Sequence, residues 1–383
     1  MRDHVNVAPL SPEDPVELGG FQLIGRIGHG GMGQVYLGES PAGEAAAVKV
    51  IKPSVVDSET RQRFAQEIEV LKTVWGPRVA AFMDADTEAE RPWLATEYVE
   101  GPDLRKLVES SGTLSGLFAA SLCATLAEAL AGVHKQGLLH RDLKPANILL
   151  GPNGPKIIDF GLAVFAESSA SLTAPNMVVG TPACMAPEQA NGEKPLTAAV
   201  DVYALGAVLV FVLTGHYPYH ADNLQVMFHL ITDPNKEPNL SGVPGELVPL
   251  VTAMLARPKE ERPLLPEVVQ QCRAVIEAKG LTVAQARRRL TSLTSAGAAS
   301  SGDSAAQALT EATTEVLIPA AVLSESPTAS YTPTLKDPVP VAEVQVPVPL
   351  PEPIIKRTLP GRSAAARRIA KQLRETYAQS AAF

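Results

Sequence analysis

The chain has no excess of basic residues. Lysine and arginine number 33 against 41 aspartates and glutamates over 383 residues, a formal charge of −8. Nucleic-acid binders draw most of their affinity from Lys and Arg on phosphates, so this balance argues against one. Cysteine is scarce: Cys123, Cys184 and Cys272 are odd in number and far apart. That usage suits a reducing, cytoplasmic compartment better than a disulfide framework. No CxxC or Cys/His cluster with metal-ligand spacing appears. The first twenty residues, MRDHVNVAPLSPEDPVELGG, carry charges and prolines but no apolar centre, unlike a signal peptide. Long apolar runs are also missing. The strongest, AAVDVYALGAVLVFVL at 198–213, is shorter than the ~20 residues a membrane span needs and contains Asp201. It reads as a buried helix of a large domain, and no transmembrane segment is expected. No P-loop signature and no internal repeat is present.

What is there falls into three stretches. Residues 1–20 read as a disordered leader. From Phe21, glycines alternate with short β-branched runs (FQLIGRIG, QVYLG, AAVKVI), the pattern of a meander. SETRQRFAQEIEVLKTV, 58–74, has helical periodicity with Ser58 as a cap, and short strands are expected near 79–83 and 93–98. Helical patterns then dominate, at 117–134, 198–214, 221–232, 246–256 and 264–278, interrupted by a small hairpin of ILL and KII around PNGP. A strand-rich lobe joined to a helix-rich one is an α+β organisation. The expected lobes are about 21–98 and about 99–278. Residues 279–383 turn Ser/Thr/Ala-rich and then proline-rich, and read as a largely disordered tail with a basic helix at 363–378. Its thin apolar stripe allows weak peripheral membrane contact at most.

Several motifs carry chemistry. IGHGGMGQV, 27–35, spaces Gly28, Gly30 and Gly33 ahead of Val35. A dinucleotide loop wants a helix to open at the third glycine, but QVYLG continues as a strand. A glycine hairpin instead lets backbone amides approach phosphates. AAVKVI sets Lys49 among apolar residues on a strand. HRDLKPANILL places His140, Arg141, Asp142, Lys144 and Asn147 within eight positions, and IIDFG puts Asp159 just after a buried strand. MAPEQ and VDVYALG follow in order.

In motif order and spacing, residues 21–278 resemble the protein kinases, and within them the eukaryote-like (Hanks-type) bacterial Ser/Thr kinases of actinobacteria. The resemblance implies a bilobal fold and an ATP- and Mg²⁺-dependent Ser/Thr protein kinase, with Mn²⁺ as the alternative metal. Ile27, Gly28, Gly30, Gly33, Val35 and Ala47 would enclose ATP, with Glu97 and Val99 at the hinge and Thr96 as gatekeeper. Lys49 would hold phosphates, oriented by Glu67 on the following helix. Asp142 would receive or orient the acceptor hydroxyl, Lys144 would touch the γ-phosphate, and Asn147 and Asp159 would hold the metal. Glu188 would pair with Arg262, and Asp201 would brace the catalytic loop. Arg141 implies control by phosphorylation of the activation loop, where Thr173 is the first candidate, with self-association for autophosphorylation in trans. Thr181 and Cys184 would belong to the loop that docks protein substrates. An aromatic usually stands where Cys184 does, and the loop is expected to be part-exposed. The alternative, a pseudokinase scaffold acting through its tail, would be favoured by loss of Lys49, Asp142, Asn147 or Asp159; all four stand.

Overall fold

The computed structural model describes residues 7–29, 33–52, 58–160 and 182–299, the side chains of 293–299 excepted. Gly30, Thr173, Thr181 and the expected tail helix lie outside the described residues.

The first lobe is a six-stranded antiparallel sheet ordered β1-β2-β3-β4-β6-β5. Its strands are β1 (Glu17–Leu18), β2 (Phe21–His29), β3 (Gly33–Glu39), β4 (Ala45–Ile51), β5 (Phe82–Asp86) and β6 (Trp93–Glu97). Period-two alternation sorts β4 cleanly: Ala46, Val48 and Val50 are buried on one face, while Ala47 and Lys49 are half-buried on the other. The first face, with Phe21, Leu23, Tyr36, Trp93 and Ala95, forms an outer apolar cluster. On the inner side Ile51 and Leu94 join the main core with Phe64, Ile68 and Leu71 of helix α1 (Ser58–Leu71). Those α1 residues recur at spacings of four and three, one stripe of a helix.

The helical lobe is built around α3 (Gly116–His134) and α5 (Ala199–Thr214). Every residue from Val200 to Leu213 is buried, so α5, Asp201 apart, is almost wholly apolar because it has no solvent face. Helix α3 is long and apolar enough to cross a membrane by length and composition, but two-thirds of its apolar window (67%) is buried inside the fold, as in a core helix. It packs on α5 and on α8 (Leu265–Ala278). The strands β7 (Ile148–Gly151) and β8 (Gly154–Ile157) form the expected hairpin, in register Ile148↔Ile157. The smaller helices are α2 (Leu104–Ser111), α4 (Pro187–Ala190), α6 (Leu224–Thr232) and α7 (Val248–Met254).

Three departures from the sequence reading stand out. Residues 7–20, expected as a disordered leader, pair with the sheet, and Leu10 and Leu18 pack on the outer cluster. Helix α2 was not anticipated; it is only eight residues, but Leu104, Leu107 and Val108 give it a buried stripe, and Asp103 caps it by accepting from the Lys106 amide at 2.9 Å. The third is α9 (Val283–Ala299), where a tail was expected from 279. Ala286 and Leu290 are buried in the main core, and α9 packs on α3, α8 and the β7–β8 hairpin. Two small contacts in a Ser/Ala-rich segment leave little periodicity to read.

Candidate active site

Strands β2 and β3 form the glycine hairpin. Gly28 faces Val35 across the pair, and Val35 is in register with Lys49. Ile27, Val35 and Ala47 are half-buried and Gly28 is exposed. A Cβ on Gly28 would meet only Val35, at 3.8 Å, so its backbone stays open to approach. Gly33 has a different reason to be glycine: a Cβ there would lie 1.9 Å from the Val50 carbonyl oxygen.

Lys49 projects from the inner face of β4, and its Nζ donates to Asp159 Oδ2 at 2.8 Å across 110 residues of sequence. Asp159 follows β8 with a left-handed backbone, φ 66°. Arg141 shares that conformation at φ 63°. Non-glycine residues held there cost about 1 kcal/mol or more each, and such strain gathers at functional sites. Desolvation pushes the Asp159 carboxyl up, but the charge and hydrogen bond of Lys49, with Lys144 and His140, more than reverse it, and the net shift is downward.

The loop between α3 and β7 gathers a second group. Lys144 Nζ donates to Asp142 Oδ2 at 2.7 Å, and Asn147 Nδ2 donates to the Asp142 carbonyl oxygen at 2.8 Å. Asn147 closes a single turn, Pro145–Asn147, started by the proline. With its nitrogen engaged by Asp142, the amide of Asn147 can offer only oxygen to a cation. Beneath this loop Asp201 is fully buried and accepts from the amides of His140 (2.8 Å) and Arg141 (2.9 Å) and meets His134 Nε2 at 2.7 Å. Burial would raise its pKa, but those bonds and the nearby histidines hold it below the usual carboxylate value. Arg262 forks onto Glu188 at 2.6 and 2.8 Å, both buried, with the Arg262 guanidinium over the Tyr203 ring.

The structure departs from expectation at two of these residues. Glu67 does not orient Lys49: its Oε1 receives Arg141 Nη1 at 2.6 Å, while the ion pair of Lys49 is with Asp159. Cys184, expected in a part-exposed loop, is buried in the main core at 5% exposure. Its turn, Pro182–Cys184, packs against α5 and α6, and desolvation together with the Asp142 carboxylate pushes the thiol well above its ordinary value. A thiol held protonated and away from solvent is a poor nucleophile.

Sequence reasoning also missed partners. Lys156 of β8 pairs with the Glu97 carboxylate at 2.5 and 2.6 Å and so ties the end of β6 to the strand that leads to Asp159. Val99, next along, is buried. His134 ends α3 under Asp201, and Gln189 Nε2 donates to the Arg141 carbonyl oxygen at 2.7 Å. A lysine between Pro155 and Ile157, a strand context otherwise apolar, was the one signal that pointed to such a pair.

Comparison with known proteins agrees with this geometry. The protein kinase domain family matches residues 21–272. The serine/threonine-protein kinase AfsK of Streptomyces coelicolor is 42% identical over 259 residues, 67% of this chain and 32% of that protein. The probable serine/threonine-protein kinase PkwA of Thermomonospora curvata is 43% identical over 266 residues, 69% of this chain and 35% of that protein. AfsK of Streptomyces griseus is 41% identical over 251 residues. The chain therefore spans about a third of the length of these curated relatives. With well over half its residues inside the family match, and with the glycine hairpin, Lys49, the Asp142 loop and Asp159 in one site, this chain belongs to the protein kinase domain family.

Proposed function

We propose that this chain transfers the γ-phosphate of ATP to Ser and Thr hydroxyls of proteins, with a divalent cation, Mg²⁺ in the first instance. The observation that carries the reading is the convergence of Lys49 on Asp159 beside the Asp142–Lys144–Asn147 group. Phosphoryl transfer asks for alignment and charge neutralisation more than covalent chemistry, and these groups supply both signs of charge.

Asp142, its Oδ2 engaged by Lys144, offers Oδ1 to orient the acceptor hydroxyl and take its proton. Lys144 and Lys49 are the cations that stabilise negative charge on the transferred group and on the α- and β-phosphates. Val35 and Ala47 supply the apolar contacts for the adenine, with the backbone at Glu97 and Val99 as its polar edge. Asn147 and the ionised Asp159 fit a hard cation: both offer oxygen, and Mg²⁺ is commonly held by one or two carboxylates plus substrate phosphates rather than by a protein cage. When bound, the cation would neutralise phosphate charge during transfer.

We further propose that activation follows phosphorylation in the 162–181 segment, with Thr173 the first candidate and a second copy of the chain as the acting kinase. A phosphate there would compete with Glu67 for Arg141, and a released Glu67 would then be available to Lys49. The support is the pairing in the structure: Glu67 on Arg141, Lys49 on Asp159.

The test is phosphate transfer by the purified full chain to a generic protein substrate in Mg-ATP, alongside Asp159→Asn. The reading expects transfer by the wild type and its loss in the variant and on chelation. Transfer that persists in Asp159→Asn would refute the assignment.

A further inference from the structure

Residues 7–18 lie before the stretch that the family match covers, yet they are built into the sheet. Ala8 and Arg26 exchange backbone hydrogen bonds at 2.9 and 2.7 Å, and Leu23 donates to the Val16 carbonyl oxygen at 2.9 Å. Gly25 is shaped by this strap: a Cβ there would lie 2.4 Å from Val7 Cγ1 and 2.5 Å from the Ala8 carbonyl oxygen. Between the two backbone attachments the chain turns at Ser11–Asp14, where Asp14 Oδ2 also accepts from the Ser11 amide at 2.7 Å.

That turn aims one carboxylate at two strands. Asp14 accepts from Arg26 Nε at 2.6 Å and Nη2 at 2.8 Å, and from the Tyr36 hydroxyl at 2.8 Å. The Asp14 side chain is 6% exposed. Arg26 on β2 and Tyr36 on β3 are direct cross-strand partners, and the next pairs in register, Gly28↔Val35 and His29↔Gln34, lead straight into the glycine loop. Arg26 and Tyr36 share the outer face, behind Val35 and Lys49 on the inner one. A β-bulge between Arg26 and Gly28 interrupts the ladder at this level, and the fork through Asp14 bridges the same two strands there.

We infer that Asp14 is a positioning residue for the nucleotide: by holding Arg26 and Tyr36 together from outside the sheet, it sets the height of the glycine hairpin over the ATP phosphates. Charge-assisted, part-buried bonds suit this use, because they are directional. The fork also keeps the Asp14 carboxyl ionised well below the usual range, chiefly through the Arg26 hydrogen bonds. The inference rests on the phosphotransfer reading for the identity of the ligand.

The test measures nucleotide binding directly, with a fluorescent ADP analogue and Mg²⁺ on the full chain, and kinetics separately. Asp14→Asn keeps the side chain's size and is expected to weaken nucleotide binding and raise the ATP KM about fivefold, as for one charge-assisted bond partly coupled to the loop. Tyr36→Phe, a gentler change that keeps the ring, should move both in the same direction by less. The KM for the protein substrate and kcat should stay within about twofold, a split that loss of stability alone would not produce. Because both changes act on one node, the double variant should be less than additive. Unchanged nucleotide affinity in both variants, or a fall in kcat without a change in the ATP KM, would overturn the inference. A wild type that binds nucleotide but transfers no phosphate would defeat the transfer reading alone, since the affinity measurement needs no acceptor.

Discussion

Arg141 Nη1 lies 2.6 Å from Glu67 Oε1, joining the loop that carries Asp142 to helix α1 of the strand-rich lobe. The same arrangement leaves Lys49 with Asp159. If a phosphate takes Arg141, phosphatase treatment of the wild type should lower its transfer rate about tenfold, an ordinary coupling energy. In Arg141→Gln the treated and untreated forms should coincide. A variant that still responds to phosphatase would remove Arg141 from the switch.

The Arg262–Glu188 pair has no solvent to fall back on, with the two side chains 0% and 6% exposed. Arg262→Met should therefore cost about 3 kcal/mol or more, because it strands a buried carboxylate. Glu188→Gln should cost less, since the amide still accepts from the guanidinium. Chemical denaturation midpoints would decide, and equal costs would contradict the account.

Asp201 predicts a pH dependence. Its carboxyl is held below its ordinary value of 3.8, so the folded state binds fewer protons than the unfolded chain near that pH. Its stabilising contribution is therefore complete above about pH 5 and declines as pH falls through the depressed pKa. Asp201→Asn should lower the melting temperature at pH 7 and flatten the acid limb between about pH 5 and 3. An acid limb as steep as that of the wild type would assign it to other carboxylates.

Helix α9 should matter to the domain. Leu290 is 1% exposed in the main core, and Leu290→Ala should cost about 2–4 kcal/mol by the usual cavity penalty. Truncation after residue 278 should destabilise at least as much. Unchanged melting in both would return the boundary to residue 278.

Cys184 should be inert in the native protein. Buried, and with its thiol pushed up by desolvation, it should resist iodoacetamide at pH 8, while all three cysteines react after denaturation. Peptide mass spectrometry reads both states. Native labelling of Cys184 would restore the part-exposed loop expected from the sequence.

What a sequence shows of a fold depends on the reach of each signal. The hairpin of β7 and β8, the helix at 58–71 and the buried α5 were all legible, because each is written in periodicity over neighbouring residues. So was the grouping of Asp142, Lys144 and Asn147, which sit within six positions and meet in one turn. The strap at 7–18 was not, since its charges and prolines carry the composition of a loose leader while its contacts lie on strands β2 and β3. Helix α2 was lost to its length, and α9 to its small residues.

Taken alone, the amino-acid sequence determined the family, the two-lobe organisation and the identity of the groups that carry charge in the site, because these depend on residue type and local spacing. Only the tertiary structure decided the pairing among those groups. Glu67 stands 18 residues from Lys49 and 74 from Arg141, yet it is Arg141 whose guanidinium it accepts. Cys184 likewise became a core residue only when its turn met α5 and α6. Which charges meet, and which loops are buried, depends on distances across the fold, and a linear spacing cannot state them.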